Sequence, residues 1–409
     1  MSGPTGPAPA RPLRVALVMV AVGDLSGSGG TERQFADLFR FLHGRHPGQV
    51  ALISARASVG RLRAAGRLPA DSGVIALPLG AQPARGWAGI AWMTLRLLWT
   101  TLGRGFDVVH LCQPTPIYVP YAAILTSLPK TLRPRLVMTV VDCTLAHNLV
   151  AEPAADRYER QVVDAHRWYS RWTRLDGVYS WYRAFVAVAA AQRLFPVTTV
   201  MMAARYCFTD TARFTPAPVK ENLVVHVGRL SVQKRPLLFV DAVASLRERY
   251  PDLAAAWRFE MFGGGPLEAG VRQRIAGHRL DDILTLSRTL DMSPILARSR
   301  VFVSTQAFEN FTSLAMLEAM AAANAIIAED LGQTNEFVHH GSNGLLVRGS
   351  SPEAYADAIA ACIRDVESAD RMGLASRDLA TSVHTIEHFA DDLTSFWHDV
   401  LAGRVGAES

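Results

Sequence analysis

The 409-residue sequence has no run of ~18 uncharged apolar residues, the length a helix needs to cross a bilayer, so no membrane span is expected. Its first dozen residues, rich in Gly, Pro and Ala, lack the basic and then apolar order of a secretory signal and read as a flexible lead-in. Cysteine is scarce. Cys112, Cys143, Cys207 and Cys362 have neither metal-site nor redox-pair spacing, and read as buried thiols in a reducing compartment, the cytoplasm. Aromatic and basic residues are not interleaved as in a nucleic-acid-binding module, so no nucleic-acid partner is expected. Acidic residues are few in the first half. Residues 1–210 hold 23 Lys/Arg against 12 Asp/Glu, a balance of +11, while the remainder holds 19 against 25, a balance of −6. A basic half attracts an anionic partner, such as a phosphate-bearing acceptor or the inner face of a membrane; an arginine-rich solvated surface gives the same count.

What is present is a globular composition, 49% hydrophobic and 19% charged, in a chain long enough for two domains. Short β-branched runs alternate with amphipathic helical patterns throughout. Strands are expected at 14–20, 50–54, 74–77, 107–111, 136–141 and 197–202, then at 223–227, 258–262, 283–286, 301–304, 325–328 and 344–347. Between them Phe35, Leu38, Phe39 and Leu42 share a helical face, as do Phe239, Val243, Leu246 and Tyr250, and Tyr355, Ile359, Cys362 and Val366. Strand–helix alternation implies parallel sheets covered on both sides. The fold class is therefore α/β, with two Rossmann-like doubly wound domains facing across a cleft. The expected division is a flexible 1–12, a first domain at 13–208, a turn-rich linker at 209–221 containing Pro216 and Pro218, and a second domain at 222–385. Ligands of such sheets sit at the carboxyl ends of the strands.

Four segments carry chemistry. In Gly228-Arg229-Leu230-Ser231-Val232-Gln233-Lys234-Arg235-Pro236 a strand ends at Gly228 and a helix starts at Pro236, with Arg229 and Lys234 directed toward the cleft. An arginine fork and a lysine point charge five residues apart suit a diphosphate, although two solvated cations would have the same spacing. Gly263-Gly264-Gly265-Pro266 permits close backbone approach to a ligand at Gly264, or forms an ordinary tight turn. In the stretch from Ser304 to Ala321, a polar loop with Glu309, Asn310 and Phe311 runs into a helix capped by Thr312 or Ser313 and opened by Leu314. The amides of that helix end suit a phosphate, Glu309 can reach a sugar hydroxyl, and Glu318 can accept from a ribose diol, although a loop charge and a surface helix residue would read the same. In the first half, Gly23–Gly30 is a glycine loop without the dinucleotide spacing, which disfavours nicotinamide; its Gly29 and Gly30 suit donor phosphate or sugar.

Together these segments resemble glycosyltransferase family 4, retaining enzymes of the GT-B fold. The resemblance is carried by Gly228-Arg229-Leu230 with Lys234, Gly263-Gly264-Gly265-Pro266, Glu309 with Glu318-Ala319-Met320-Ala321, and Asn343-Gly344-Leu345-Leu346-Val347. In the first half Gly29-Gly30-Thr31-Glu32 and Phe106-Asp107-Val108-Val109-His110 are similar to family elements. The resemblance implies a nucleotide-sugar donor, its diphosphate held by Arg229 and Lys234, its ribose by Glu318 and its transferred sugar by Glu309. It implies no metal or other cofactor, and a last helix, within 386–409, that packs back on the first domain. Three departures stand out. Glu309 and Glu318 are separated by eight residues where the family usually has seven, and Ala323-Asn324 stands where a glycine usually follows the helix. At the end of the 136–141 strand, Val141-Asp142 replaces the family's His-Asp pair. Asp142 is then the residue expected to line the cleft, with His147 a candidate replacement for the histidine and His110 structural.

The resulting expectation is retaining transfer of a hexose-type sugar to an unidentified acceptor: a glycan, a lipid-linked molecule or a small molecule. A scaffold that binds nucleotide sugar without turnover and a nucleotide-sugar epimerase are the alternatives. The apolar, aromatic segment at 86–102 reads either as a membrane-surface helix, giving peripheral membrane contact, or as a buried core helix.

Overall fold

The computed structural model describes residues 11–20, 30–64, 66–68, 73–80, 86–141, 145–146, 157–289, 291–311 and 313–404. Two parallel sheets organise the chain. The first comprises β1 (Val15–Val18), β2 (Val50–Ala55), β3 (Val74–Leu77), β4 (Val108–Leu111), β5 (Arg135–Val140), β6 (Gly177–Ser180) and β7 (Val200–Ala203), in the order β3-β2-β1-β4-β5-β6-β7. Their crossovers are α1 (Gly30–Arg45), α2 (Arg56–Ala64), α3 (Gly86–Leu102), α4 (Val119–Ser127), α5 (Arg157–Trp172) and α6 (Arg183–Ala191). Every residue of β1 and β4 is buried, as strands covered on both faces require.

Residues 204–222 carry neither helix nor strand and lead to the second sheet. Its strands are β8 (Leu223–Val227), β9 (Arg258–Phe262), β10 (Leu284–Ser287), β11 (Val301–Ser304), β12 (Ala325–Glu329) and β13 (Gly344–Val347), in the order β10-β9-β8-β11-β12-β13. The helices of this half are α7 (Pro236–Arg249), α8 (Pro251–Ala255), α9 (Glu268–Gly277), α10 (Ser293–Arg298), α11 (Leu314–Ala321), α12 (Pro352–Arg364) and α13 (Val366–Ser382). Pro236 opens α7, where its missing N–H costs no helical bond. The last helix, α14 (Ile386–Ala402), leaves this half and lies against β6, β7 and α1 of the first.

The expected doubly wound architecture is present, with one strand that the sequence pattern did not reveal. Gly177-Val178-Tyr179-Ser180 is short and opens on a strand-weakening glycine, yet it forms β6 between β5 and β7. The glycine is required by α14: a β-carbon there would lie 2.6 Å from Val400 and 2.8 Å from Phe396. Beside it Asp392 of α14, buried, accepts from the Tyr179 hydroxyl at 2.7 Å and from Arg205 Nε at 2.5 Å.

His110 closes the same contact. Its Nδ1 accepts from Trp397 Nε1 at 3.1 Å, which leaves the proton on Nε2 to donate to Thr139 Oγ1 at 2.6 Å. Burial pulls the imidazole down to about 3, so it is neutral and holds β4, β5 and α14 together. Cys112, Cys207 and Cys362 are buried thiols, and Cys143 lies outside the described residues.

Trp397→Ala removes a buried indole and its hydrogen bond to His110. Loss of such a side chain costs about 3–5 kcal/mol. The urea midpoint followed by circular dichroism is expected to fall clearly, and an unchanged midpoint would contradict this role for α14.

Candidate active site

In each sheet the strand order reverses once, and the crevice of the second sheet opens between β8 and β11. The segments after these strands are 228–235 and 305–313, which hold most of the residues singled out from the sequence.

After β8 the chain turns through a 3-10 turn at Val232–Lys234, and Arg235, at φ +42°, directs it into α7. This left-handed residue ion-pairs with buried Glu329 at 2.8 Å and bonds Ser350 Oγ at 2.7 Å, which fixes the turn from below. Arg229 and Lys234 are half-buried at the crevice. The ammonium of Lys234 donates to Gln306 Oε1 and lies 5.6 Å from the centre of the Phe308 ring. Thr305 Oγ1 donates to the Lys234 carbonyl at 2.8 Å, and Ala307 N to the Gln233 carbonyl at 2.8 Å. The two segments therefore hold each other.

The glycine cluster brings two loops into contact. Gly228 N donates to the Phe262 carbonyl, and Leu230 N to the Gly264 carbonyl. A β-carbon on Gly263 would lie 1.9 Å from the Gly228 carbonyl oxygen, and one on Gly265 would lie 2.5 Å from that of Leu230. A β-carbon on Gly264 would meet the Arg288 guanidinium at 2.7 Å. Glycines are needed here so that two backbone loops can cross in contact, setting the position of Arg229.

The loop after β11 is buried and tightly bonded. The Glu309 carboxylate accepts from Gln333 N at 3.0 Å, beside Gly332. Asn310 Oδ1 accepts from Ser304 Oγ at 2.6 Å, and Asn310 N donates to Thr334 Oγ1 at 2.9 Å. The side-chain nitrogen of Asn310, Nδ2, is buried and has no protein acceptor among the described residues. The Phe311 side chain stacks on Phe337 at 5.2 Å and meets His384 edge-on at 6.2 Å, so only its backbone is left for a ligand. Ser313, one of the two residues read as the cap, occupies the N-cap of α11, and its hydroxyl makes no capping bond.

Leu314 opens α11, and Glu318 follows one turn later, 5% exposed. Glu318 faces the first half of the molecule: Arg33 of α1 comes within 3.7 Å of its carboxylate. Burial pushes the Glu318 carboxyl up to about 7, against the opposing pull of Arg33 and Arg213. Between them lies a cavity of about 480 Å³, with Arg33, Asp37, Arg213, Leu314, Glu318 and Ile386 in its walls. It adjoins the two chain crossings between the halves. Arg229 and Lys234 are not among its walls, so it abuts the β8–β11 crevice only through α11.

The structure thus brings Gly228, Arg229, Lys234, Gly264, Glu309 and Asn310 together on one rim, with Leu314 and Glu318 on the neighbouring helix. Gly30 opens α1 on the opposite side. Gly29, Asp142, His147 and Thr312 lie outside the described residues, and β5 is followed at its end by Val141. Sequence reasoning missed Arg33, Gln306 and Gln333, which hold Glu318, Lys234 and Glu309. Arg33 stood beside the Gly-Gly-Thr-Glu element and carried a readable signal. Gln333 did not, because its contribution is a backbone amide. Across the cleft, Arg183 bonds Glu336 at 2.6 Å, and Tyr182 meets Phe308 edge-on at 5.8 Å.

Residues 221–365 match the model of the family described as glycosyl transferases group 1. The chain is 29% identical over 194 residues to the D-inositol 3-phosphate glycosyltransferase of Corynebacterium glutamicum, a match covering 45% of each chain. The chain spans about half the length of the curated relatives it matches. Its fold is that of sucrose-phosphate synthase from Thermosynechococcus elongatus, with a TM-score of 0.69 at 17% identity over 95% of this chain and 99% of that one. The Anabaena protein HepE in complex with UDP and glucose aligns with a TM-score of 0.68 at 16% identity over 94% and 98%. These are GT-B folds.

Gly263→Ala places a methyl group against the Gly228 carbonyl, where only backbone can yield. Overpacking of this kind costs about 1–3 kcal/mol. A lower melting temperature is expected, whereas a wild-type value would show that the loops do not depend on this contact.

Proposed function

We propose that this chain, whose residues 221–365 belong to the group 1 glycosyltransferases and whose two sheets form a GT-B fold, is a retaining glycosyltransferase that uses a nucleotide-diphosphate-sugar donor. One observation carries the reading: Lys234 meets the Gln306–Asn310 loop at the β8–β11 switch point, with Arg229 half-buried on the same segment and the carboxylates Glu309 and Glu318 in the segment after β11. Two cations on a preorganised rim suit a diphosphate, and they stabilise the charge that develops as it leaves. Arg229 and Lys234 are accordingly assigned to the diphosphate, Glu318 to the ribose and Glu309 to the transferred sugar, with the amides of 310–314 and the Gly30 end of α1 around them. Asp142 is assigned to the acceptor side. UDP is the first donor nucleotide to try, because HepE was solved with UDP and glucose.

Transfer breaks the bond from the sugar's anomeric carbon to the diphosphate oxygen and forms one to the acceptor oxygen on the same face. The acceptor proton goes to the departing phosphate oxygen, so nucleoside diphosphate is the second product. A hexose as the sugar, an acceptor that is a glycan, a lipid-linked molecule or a small molecule, and a location at the inner face of a membrane are the finer parts of this proposal.

A donor panel in which hydrolysis and transfer are followed by release of nucleoside diphosphate tests it. Charge-assisted hydrogen bonds contribute about 1.5–3 kcal/mol each, so Arg229→Ala and Lys234→Ala are each expected to weaken UDP binding about tenfold to a hundredfold. Unchanged affinity in both would remove the site. Tight binding without turnover of any donor would make the protein a scaffold, and an isomerised free donor would make it an epimerase.

Glu318 gives a pH test. Its carboxyl ionises near pH 7, and only the carboxylate accepts from both ribose hydroxyls, so UDP affinity is full above that pH and falls as the pH drops through about 7. The loss approaches tenfold per pH unit below about 7 if binding requires the charge. Glu318→Gln is expected to bind weakly at every pH and to lack this part of the dependence; an identical slope in the two proteins would take Glu318 out of the ribose site.

A further inference from the structure

Beyond donor chemistry, and independently of it, we infer that the outer face of α3, α4 and α5 docks on the surface of an anionic phospholipid bilayer. These helices pack side by side in one layer on the first sheet. Nine of the twelve large hydrophobic side chains most open to solvent, among the described residues, belong to them and to the turn after α4. On α3 the inner face, with Met93, Thr94, Leu97 and Thr101, is buried against the sheet. The outer face should then be polar, as on a solvated helix. Instead Trp92, Leu95, Trp99 and Leu102 recur at helical spacing, with Trp99 71% exposed, and Trp87 at the helix start is 86% exposed.

The charge around this stripe selects the partner. The helix α3 has no acidic residue, and its one cation, Arg96, lies 5.6 Å from the Trp92 ring and 5.1 Å from the Trp99 ring. On α5 Trp168 and Trp172 are exposed beside exposed Arg167 and Arg171, and Arg104 and Lys130 are exposed at the far ends of α3 and α4. By sequence α3, α4 and α5 carry the two acids Glu159 and Asp164 against the five arginines Arg96, Arg157, Arg160, Arg167 and Arg171, and exposed Asp164 lies 3.8 Å from Arg167. Indoles with an excess of arginine over acid match the boundary between acyl chains and phosphates, where the ring is part apolar and part wet and the guanidinium meets phosphate. A second copy of this face fits less well, because a two-fold contact would set the cations of one copy against those of the other. No described helix is long and apolar enough to cross the membrane, so the face lies on the bilayer rather than through it.

The test uses the full chain in co-sedimentation with vesicles of phosphatidylcholine alone and of phosphatidylcholine with phosphatidylglycerol in equal parts. The wild type is expected to pellet with the anionic vesicles, less so at high salt, and to stay in solution with the neutral ones. Trp92→Ala/Trp99→Ala and Arg167→Glu/Arg171→Glu should each weaken that binding by about tenfold or more. Circular dichroism and UDP titration, expected to be unchanged, show that the variants are folded and keep the donor-site reading separate. Failure of the wild type to pellet, or equal pelleting of both variants, would overturn the inference. A wild-type dimer in sedimentation velocity that the tryptophan variant breaks would assign the face to a second copy instead.

Discussion

The cleft depends on one helix from the end of the chain completing the sheet formed by its beginning. The helix α14 lies against β6 and β7 because Gly177 leaves room for Phe396 and Val400. Asp392, buried beneath it, is satisfied by Tyr179 and Arg205, and Trp397 reaches His110 on the central strand β4. Removing any partner would leave a buried polar group unpaired, a cost comparable to that of a whole hydrogen bond or more. The chain consequently crosses between the halves twice, through residues 204–222 and again between α13 and α14, and the cavity beside Glu318 opens where the crossings meet. With the halves so tied, Arg33 of the first comes to Glu318 of the second.

Within the second half the rim of the crevice is assembled before any ligand arrives. Lys234 is held by Gln306 and Phe308, Glu309 by the Gln333 amide, and Arg235 by Glu329 and Ser350. The loops that carry these groups contact each other backbone to backbone through Gly263 and Gly265. Groups so fixed need little reorganisation when charge develops on a bound diphosphate, and this is the physical basis of the proposed transfer. Glu318 contrasts with them. It is desolvated, its carboxyl rises to about 7, and it faces Arg33, a cation from the other half, so its charge is open to change near neutral pH.

Much of this was readable in the residues. Strand–helix alternation located both sheets, and Pro236 marked the start of α7. The segments 228–235 and 305–318 were adjacent in function before they were adjacent in space, because both follow strands. Other features were not readable for local reasons. The strand β6 was hidden by a glycine whose need arises 220 residues away, at Val400 and Phe396. Phe311 lies in what reads as a polar loop, yet its ring is in the core on Phe337. The glycines at 263–265 allow a contact between two loops, which no local pattern encodes.

The sequence by itself determined the doubly wound class, the two restarting halves, the Arg229–Lys234 pair and the acid-bearing loop and helix after β11. These follow from period, turn chemistry and spacing, all short-range properties of a chain. Only the tertiary structure decided which groups hold which: Arg33 on Glu318, Gln306 under Lys234, a backbone amide on Glu309, and α14 on the first sheet. It also turned the aromatic segment at 86–102 from a choice between core and surface into a helix that is both, buried on one side and bare on the other. The reason is that a side chain's partner and its exposure depend on elements distant in sequence, and their placement is settled when the two sheets and the returning helix pack.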